Sequence, residues 1–152
     1  MKHSNNRRAA ARVGRVALLG LLAAGGVSHA DDQDTIDYRQ HIMKTLGEQV
    51  AILGMMVQQK APSQDFATHA EVLAMTAATA KAAFEPEIQG GNAKAEVWSQ
   101  WADFEKRIDA LVASTADLAK TAKSGGAAAA GPKMQSALTC KSCHDNYKVP
   151  KK

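Results

Sequence analysis

Cys140-Lys141-Ser142-Cys143-His144 constrains this chain more than any other stretch. It holds both of the protein's cysteines, and a histidine directly follows the second. This is the C-x-x-C-H spacing of covalent c-type haem attachment. Each thiol adds across one vinyl group of a porphyrin, and the two-residue gap matches the distance between those vinyls. The imidazole one residue on can then reach the iron as its proximal ligand. On a helix, Cys140, Cys143 and His144 fall at i, i+3 and i+4 and share a face. A redox dithiol would call for a thioredoxin-like βαβ pattern, and zinc for two further Cys or His nearby. Neither accompanies the motif. A disulfide is the ordinary use of two cysteines in an exported protein, but the adjacent His144 makes thioether bonds the better use of both. A fold built around this motif must hold one covalent haem c near its C-terminus.

Export is itself an expectation from the first thirty residues. Lys2, Arg7, Arg8, Arg12 and Arg15 precede an apolar run from Val16 to Ala24, and Ser28-His29-Ala30 offers small residues at a cleavage position. This reads as a signal peptide over residues 1–30, too short in its apolar part to span a membrane. The pair Arg7-Arg8 lacks the apolar residues that usually follow a twin-arginine signal, so the general secretory route into the periplasm is expected. The whole chain has 19 Lys and Arg against 15 Asp and Glu. Five of the basic residues lie in the leader, which leaves 14 against 15 in the mature part. The basic balance belongs to the leader and makes no case for nucleic-acid binding, nor for a membrane contact after cleavage. The remaining residues, 31–152, suffice for one domain.

Four apolar-periodic segments fill that domain. Asp31-Asp32-Gln33-Asp34 starts the first, and Ile36, Met43, Val50 and Val57 recur at seven-residue steps, with Leu46 and Leu53 on an adjoining line. Ala61-Pro62-Ser63 closes it at about Lys60. Gly47 and Gly54 are placed on its inward side, where glycine marks close approach by a macrocycle or by another helix. The second segment, from Ser63 or Gln64 to Phe84, carries Phe66, Ala70, Leu73, Ala77, Ala80 and Phe84 as its stripe. A breaker-rich loop around Gly90-Gly91 follows. The third, Lys94 to Lys123, aligns Val97, Trp98, Trp101, Phe104, Ile108, Leu111 and Leu118, with Thr115 as a polar interruption able to bond back to a carbonyl one turn earlier. Ser124-Gly125-Gly126 ends it. The last begins at Ala127 or Pro132 and runs through the haem motif to about Lys148, where Pro150 stops it. Four amphipathic helices with short connections and no strand pattern predict an all-α fold, an antiparallel four-helix bundle.

The chain resembles the class II cytochromes c, that is, cytochrome c prime and its low-spin relatives. The resemblance rests on Tyr38-Arg39-Gln40-His41-Ile42-Met43-Lys44, on Gly90-Gly91 ahead of Glu96-Val97-Trp98, and on Cys140 to Lys148 near the C-terminus. It implies that Cys140 and Cys143 are the thioethers and His144 the proximal iron ligand. It also implies that Arg39 contacts a haem propionate, which a guanidinium can hold through two parallel hydrogen bonds. Trp98 and Trp101 are expected either against the porphyrin edge or in ordinary core packing, and Tyr147 as pocket wall or bundle end. Met55, Met56, Met75 and Met134 read as packing, and His41 and His69 as surface or boundary residues. Lys148 stands where many cytochromes c prime have an arginine, which keeps the charge and loses planar stacking.

Met43 carries the functional expectation. In low-spin members of the family a methionine here binds the iron as sixth ligand, and Met/His ligation favours electron transfer. The expected function is therefore a periplasmic monohaem one-electron carrier, with His144 proximal and Met43 distal, exchanging electrons with redox partner proteins. The alternative is a five-coordinate cytochrome c prime in which Met43 only covers the iron and the haem binds NO or CO. A homodimer is compatible with either. No nucleophile, general acid–base pair or phosphate loop is visible, so no catalytic residue and no enzyme activity is expected.

Overall fold

The computed structural model describes residues 31–150. The expected signal peptide lies outside the described residues. Helix α1 spans Asp32–Val57, α2 Phe66–Phe84, α3 Glu96–Ser99, α4 Trp101–Ala130, α5 Met134–Ala137 and α6 Cys140–Tyr147, with a 3-10 turn at Gly131–Lys133 between α4 and α5. The fold is an antiparallel four-helix bundle: α1 and α2 form two limbs, α3 with most of α4 the third, and the segments after Gly126 the broken fourth. No helix among the described residues is long and apolar enough to cross a membrane.

Helix α1 begins where its acids predict. The Asp31 carboxylate accepts from the Asp34 amide at 2.8 Å, and Asp32 and Asp34 sit in the first turn, where the helix dipole favours negative charge. Its core side is Ile42, Leu46, Leu53 and Met56, while Ile36, Met43 and Val50 lie half-buried on a neighbouring line and Val57 is exposed. The seven-residue pattern thus marks the edge of the buried face, and the line between its members is the core. All six residues of the predicted α2 stripe are buried, from Phe66 to Phe84. They pack between α1 and α4, against Leu53, Phe104, Ile108 and Leu118.

Two expected helices are broken. The third limb is interrupted at Gln100, with φ −122° and ψ 39°. On a continuous helix Trp98 and Trp101, three residues apart, would share a face. The break turns Trp98 toward the Phe84 carbonyl, to which its indole N–H donates at 2.9 Å, while Trp101 packs on Phe104. At the far end Gly126 adopts φ 60°, ψ −157°, so the helix turns there as the glycine pair predicts. The fourth limb does not run unbroken into the haem motif. It leaves helical geometry at Leu138, with φ −99° and ψ 74°, and α6 starts afresh at Cys140. The carbonyl freed at Ala137 accepts from the Ser114 hydroxyl at 2.7 Å, and that of Thr139 from the Ser142 hydroxyl at 2.7 Å. Thr115 is fully buried and bonds back to the Leu111 carbonyl at 2.8 Å, as expected.

Candidate haem site

A cavity of about 710 Å³ opens between α1 and the C-terminal segment. Ile36, Met43, Gly47 and Val50 of α1 line one side; Leu138, Cys140, Cys143 and His144 line the other; Phe104, Ile108 and Tyr147 contribute to its floor. The sequence motif and the seven-residue line of α1 therefore meet across one space. Gly47 needs correction in one respect: it is exposed to this cavity and not buried against protein. A Cβ built on it meets nothing within 4 Å, so no helix contact explains the glycine, and the wall is open to a flat group. Gly54 has equally open surroundings.

The loop before α3 is pressed onto α1 by two glycines. Gly90 has φ +137° and Gly91 φ +62°, and a Cβ on either would fall within 3 Å of the Ile36 side chain. Only glycine tolerates both the backbone angle and the contact. This places Ile88 beside Arg39, whose Nη2 donates to the Ile88 carbonyl at 2.6 Å.

Arg39 is 3% exposed, and its other terminal nitrogen, Nη1, is buried with no hydrogen-bond partner. Burial pulls its pKa down from the ordinary arginine value. Its guanidinium lies 5.1 Å from the Trp98 ring centre and 5.4 Å from that of Phe84, within cation–π range. A buried cation with an unsatisfied N–H calls for an anionic acceptor, and a porphyrin propionate reaching Arg39 at the cavity edge meets that need. The residues present thus fit a haem: two half-buried thiols, an imidazole and an open apolar wall share one space, and Arg39, with an unpartnered guanidinium nitrogen, borders it. Trp98 stands behind Arg39 and outside the cavity lining, so it orients the arginine and does not form the wall. Trp101 is likewise absent from the lining, whereas Tyr147 is part of it.

The electrostatics of His144 would suit it to bind a metal. The residue is exposed at the cavity mouth, but its ring is partly desolvated. That desolvation, followed by the positive charge of Lys148, lowers its pKa below the usual value, while Asp145 opposes the shift. Burial and the Lys148 charge both favour the neutral imidazole, the form that binds metal. Burial raises the Cys143 thiol pKa, with the charge of Arg107 working against it. His41 is exposed, as expected, and borders the cavity, while Gln49 holds His69 at 2.8 Å, outside the cavity lining. Lining residues such as Leu73, Val97 and Leu111 read in sequence only as core, because an apolar wall and an apolar core share one periodicity.

Comparison with known proteins bears on both cofactor and function. The family model described as Cytochrome C' matches residues 34–148. Cytochrome c' of Rhodospirillum rubrum is 33% identical over 146 residues, covering 88% of this chain and 95% of that protein. Cytochrome c' of Alcaligenes xylosoxydans is 29% identical over 129 residues, covering 80% and 98%. Among solved structures, a ferrous variant of cytochrome c prime from Alcaligenes xylosoxidans with bound NO matches with a TM-score of 0.75 at 28% identity, covering 81% of this chain and 99% of that one. A carbon-monoxide-bound variant from the same organism matches with a TM-score of 0.74 at 27% identity, covering 80% and 98%.

The cofactor is covalently attached haem c, and Cys140 and Cys143 are the two cysteines present for it. The expected electron carrier with Met43 as sixth iron ligand does not stand. The relatives are named cytochrome c', and related structures hold NO or CO, which matches the five-coordinate alternative. The physical reason is that a thioether on an apolar helix line looks the same in sequence whether it binds a metal or covers one. The match over residues 34–148 and the agreement in fold place this chain in the cytochrome c prime family.

Proposed function

We propose that this protein captures a small diatomic gas, NO or CO, at a haem held by Cys140 and Cys143, with His144 as the only protein ligand to the iron. The observation that carries the reading is the wall facing His144. Met43, Ile36 and Val50, with the bare backbone of Gly47 between them, offer apolar cover to one side of the cavity. Bound haem supplies an iron that takes a diatomic ligand in its ferrous state. The chain's own residues do the rest. Arg39 would hold a propionate, the α1 line would exclude water and larger ligands, and the neutral imidazole of His144 would hold the iron.

The setting is the periplasm, which the leader and C-x-x-C-H support together. Redox partner proteins are expected to keep the iron reduced, and a second copy of the chain is a further expected partner. Capture of a gas breaks no bond, so no catalytic residue is assigned. Titration of the reduced protein with CO and with NO, followed optically, tests the reading. Saturable one-to-one binding is the expected result, and a spectrum unmoved by either gas would overturn it.

A further inference from the structure

Helix α6 has eight residues and no side-chain cap at its start. A helix that short does not hold itself in water, yet it carries both cysteines and His144. Hydrogen bonds from outside hold it and bracket Cys143 and His144; Lys94 Nζ reaches the Asp145 and Asn146 carbonyls at 3.4 and 3.0 Å, and three further contacts are shorter. Arg107 Nη1 donates to the Ser142 carbonyl oxygen at 2.7 Å. The Tyr147 hydroxyl donates to Asp103 Oδ2 at 2.5 Å. The Lys94 amide donates to the Tyr147 carbonyl at 2.9 Å.

The Arg107 and Tyr147 hydroxyl contacts are one device. Asp103 and Arg107 stand one turn apart on α4, with Arg107 Nε 2.6 Å from Asp103 Oδ2, so a single carboxylate oxygen gathers the guanidinium and the phenol. The guanidinium also lies 5.9 Å from the Tyr147 ring centre, and that ring packs edge-on against Phe104 at 5.1 Å. His144 has no such support of its own. Its ring feels burial and the charges of Lys148 and Asp145, but no hydrogen bond from a described residue. Metal-bound histidines are ordinarily oriented by a hydrogen bond from their second nitrogen. Without one, the direction of the ring rests on the backbone of α6.

We propose that Asp103 and Arg107 are positioning residues for the haem site: through Tyr147 and the Ser142 carbonyl they hold the Cys143–His144 turn against α4 and so set how the His144 imidazole meets the iron. This rests on the reading of His144 as the iron's protein ligand. Other α4 ion pairs lack this reach. Lys81, for example, bridges Glu105 at 2.7 Å and ties α4 to α2, away from α6.

The test uses holoprotein carrying Asp103→Asn, Arg107→Gln or Tyr147→Phe, the last keeping the ring and losing only the O–H, with Lys81→Gln on α2 as a control that breaks an ion pair to α4. Two readouts are taken: the haem–histidine stretching band of the ferrous protein by resonance Raman, and amide exchange at residues 143–147. The three clamp variants should shift or broaden the band and speed exchange there by about fivefold, the scale of one lost surface-coupled interaction. Lys81→Gln should leave both unchanged. Arg107→Lys keeps the positive charge beside Asp103 but lacks the guanidinium fork, so its single ammonium cannot reach both Asp103 and the Ser142 carbonyl as Nε and Nη1 do. It should melt like wild type while its band follows that of Arg107→Gln. Bands and exchange rates identical to wild type in all clamp variants would overturn the inference alone. Absence of a haem–histidine band in the wild type would overturn the ligand reading and the inference with it.

Discussion

Arg39 Nη2 donates to the carbonyl of Ile88 at 2.6 Å, across 49 residues of sequence, while Nη1 beside it is buried without a partner. The first bond staples α1 to the loop before α3. The second nitrogen is the one buried side-chain polar atom without a hydrogen-bond partner among the described residues, and a haem propionate would satisfy it.

Arg39→Leu should therefore act on both fold and cofactor. Loss of a buried, paired cation should cost the holoprotein about 3 kcal/mol, read from denaturant unfolding. Removal of a positive charge beside the haem should also lower its midpoint potential in a redox titration. Unchanged potential together with unchanged stability would show that Arg39 serves neither purpose.

Met43→Ala should leave the iron's coordination number unchanged and speed gas entry. Shortening the cover over one face should raise the CO association rate about tenfold, equivalent to about 1.4 kcal/mol of barrier. Stopped-flow mixing of the reduced protein with CO measures it. A rate equal to wild type would mean that some other residue limits access.

The glycines separate two roles. Gly91→Ala puts a Cβ 2.8 Å from the Gln40 amide nitrogen at a positive φ and should cost about 2 kcal/mol in unfolding experiments. Gly47→Ala meets no protein atom and should gain helix propensity. Its methyl group enters the cavity wall instead, so its effect should appear in the haem spectrum and in gas affinity. A large loss of stability at Gly47, or none at Gly91, would contradict this division.

Most of the bundle was legible in the sequence, and the α2 stripe is the clearest case, since each of its residues needs only period and polarity to be placed. The haem motif was equally legible, because few other chemistries use both thiols and the adjacent imidazole. The breaks at Gln100 and Leu138 were not. Neither site carries glycine or proline, and each is set by a partner distant in sequence: the Phe84 carbonyl for Trp98, and the Ser114 hydroxyl for the Ala137 carbonyl. The Asp103–Tyr147–Arg107 cluster was hidden for the same reason. Its charged residues read as a solvated helix face until the fold brings Tyr147 to them across 44 positions. Met43 lines the cavity, but the iron-ligand role expected of it does not stand, because periodicity reports which way a side chain faces and is silent on what it binds.

Acid should weaken that cluster in a defined direction. The hydrogen bond from Arg107, then that from Tyr147, holds the Asp103 carboxyl below its ordinary value of 3.8. Its contribution to stability is thus present in full above that value and is lost as pH falls through the lower folded-state value. The stability gap between wild type and Asp103→Asn should be widest near neutral pH and close in strong acid. Thermal melts of both proteins across that range measure it, and a gap that widens on acidification would be the wrong sign.

The spin state of the purified protein at neutral pH, with and without CO, bears most directly on the central claim. An iron held by His144 alone should be five-coordinate and high-spin when reduced, and should convert to a low-spin, six-coordinate form as CO is added. A reduced wild type that is already low-spin and six-coordinate, and unmoved by CO, would contradict the account.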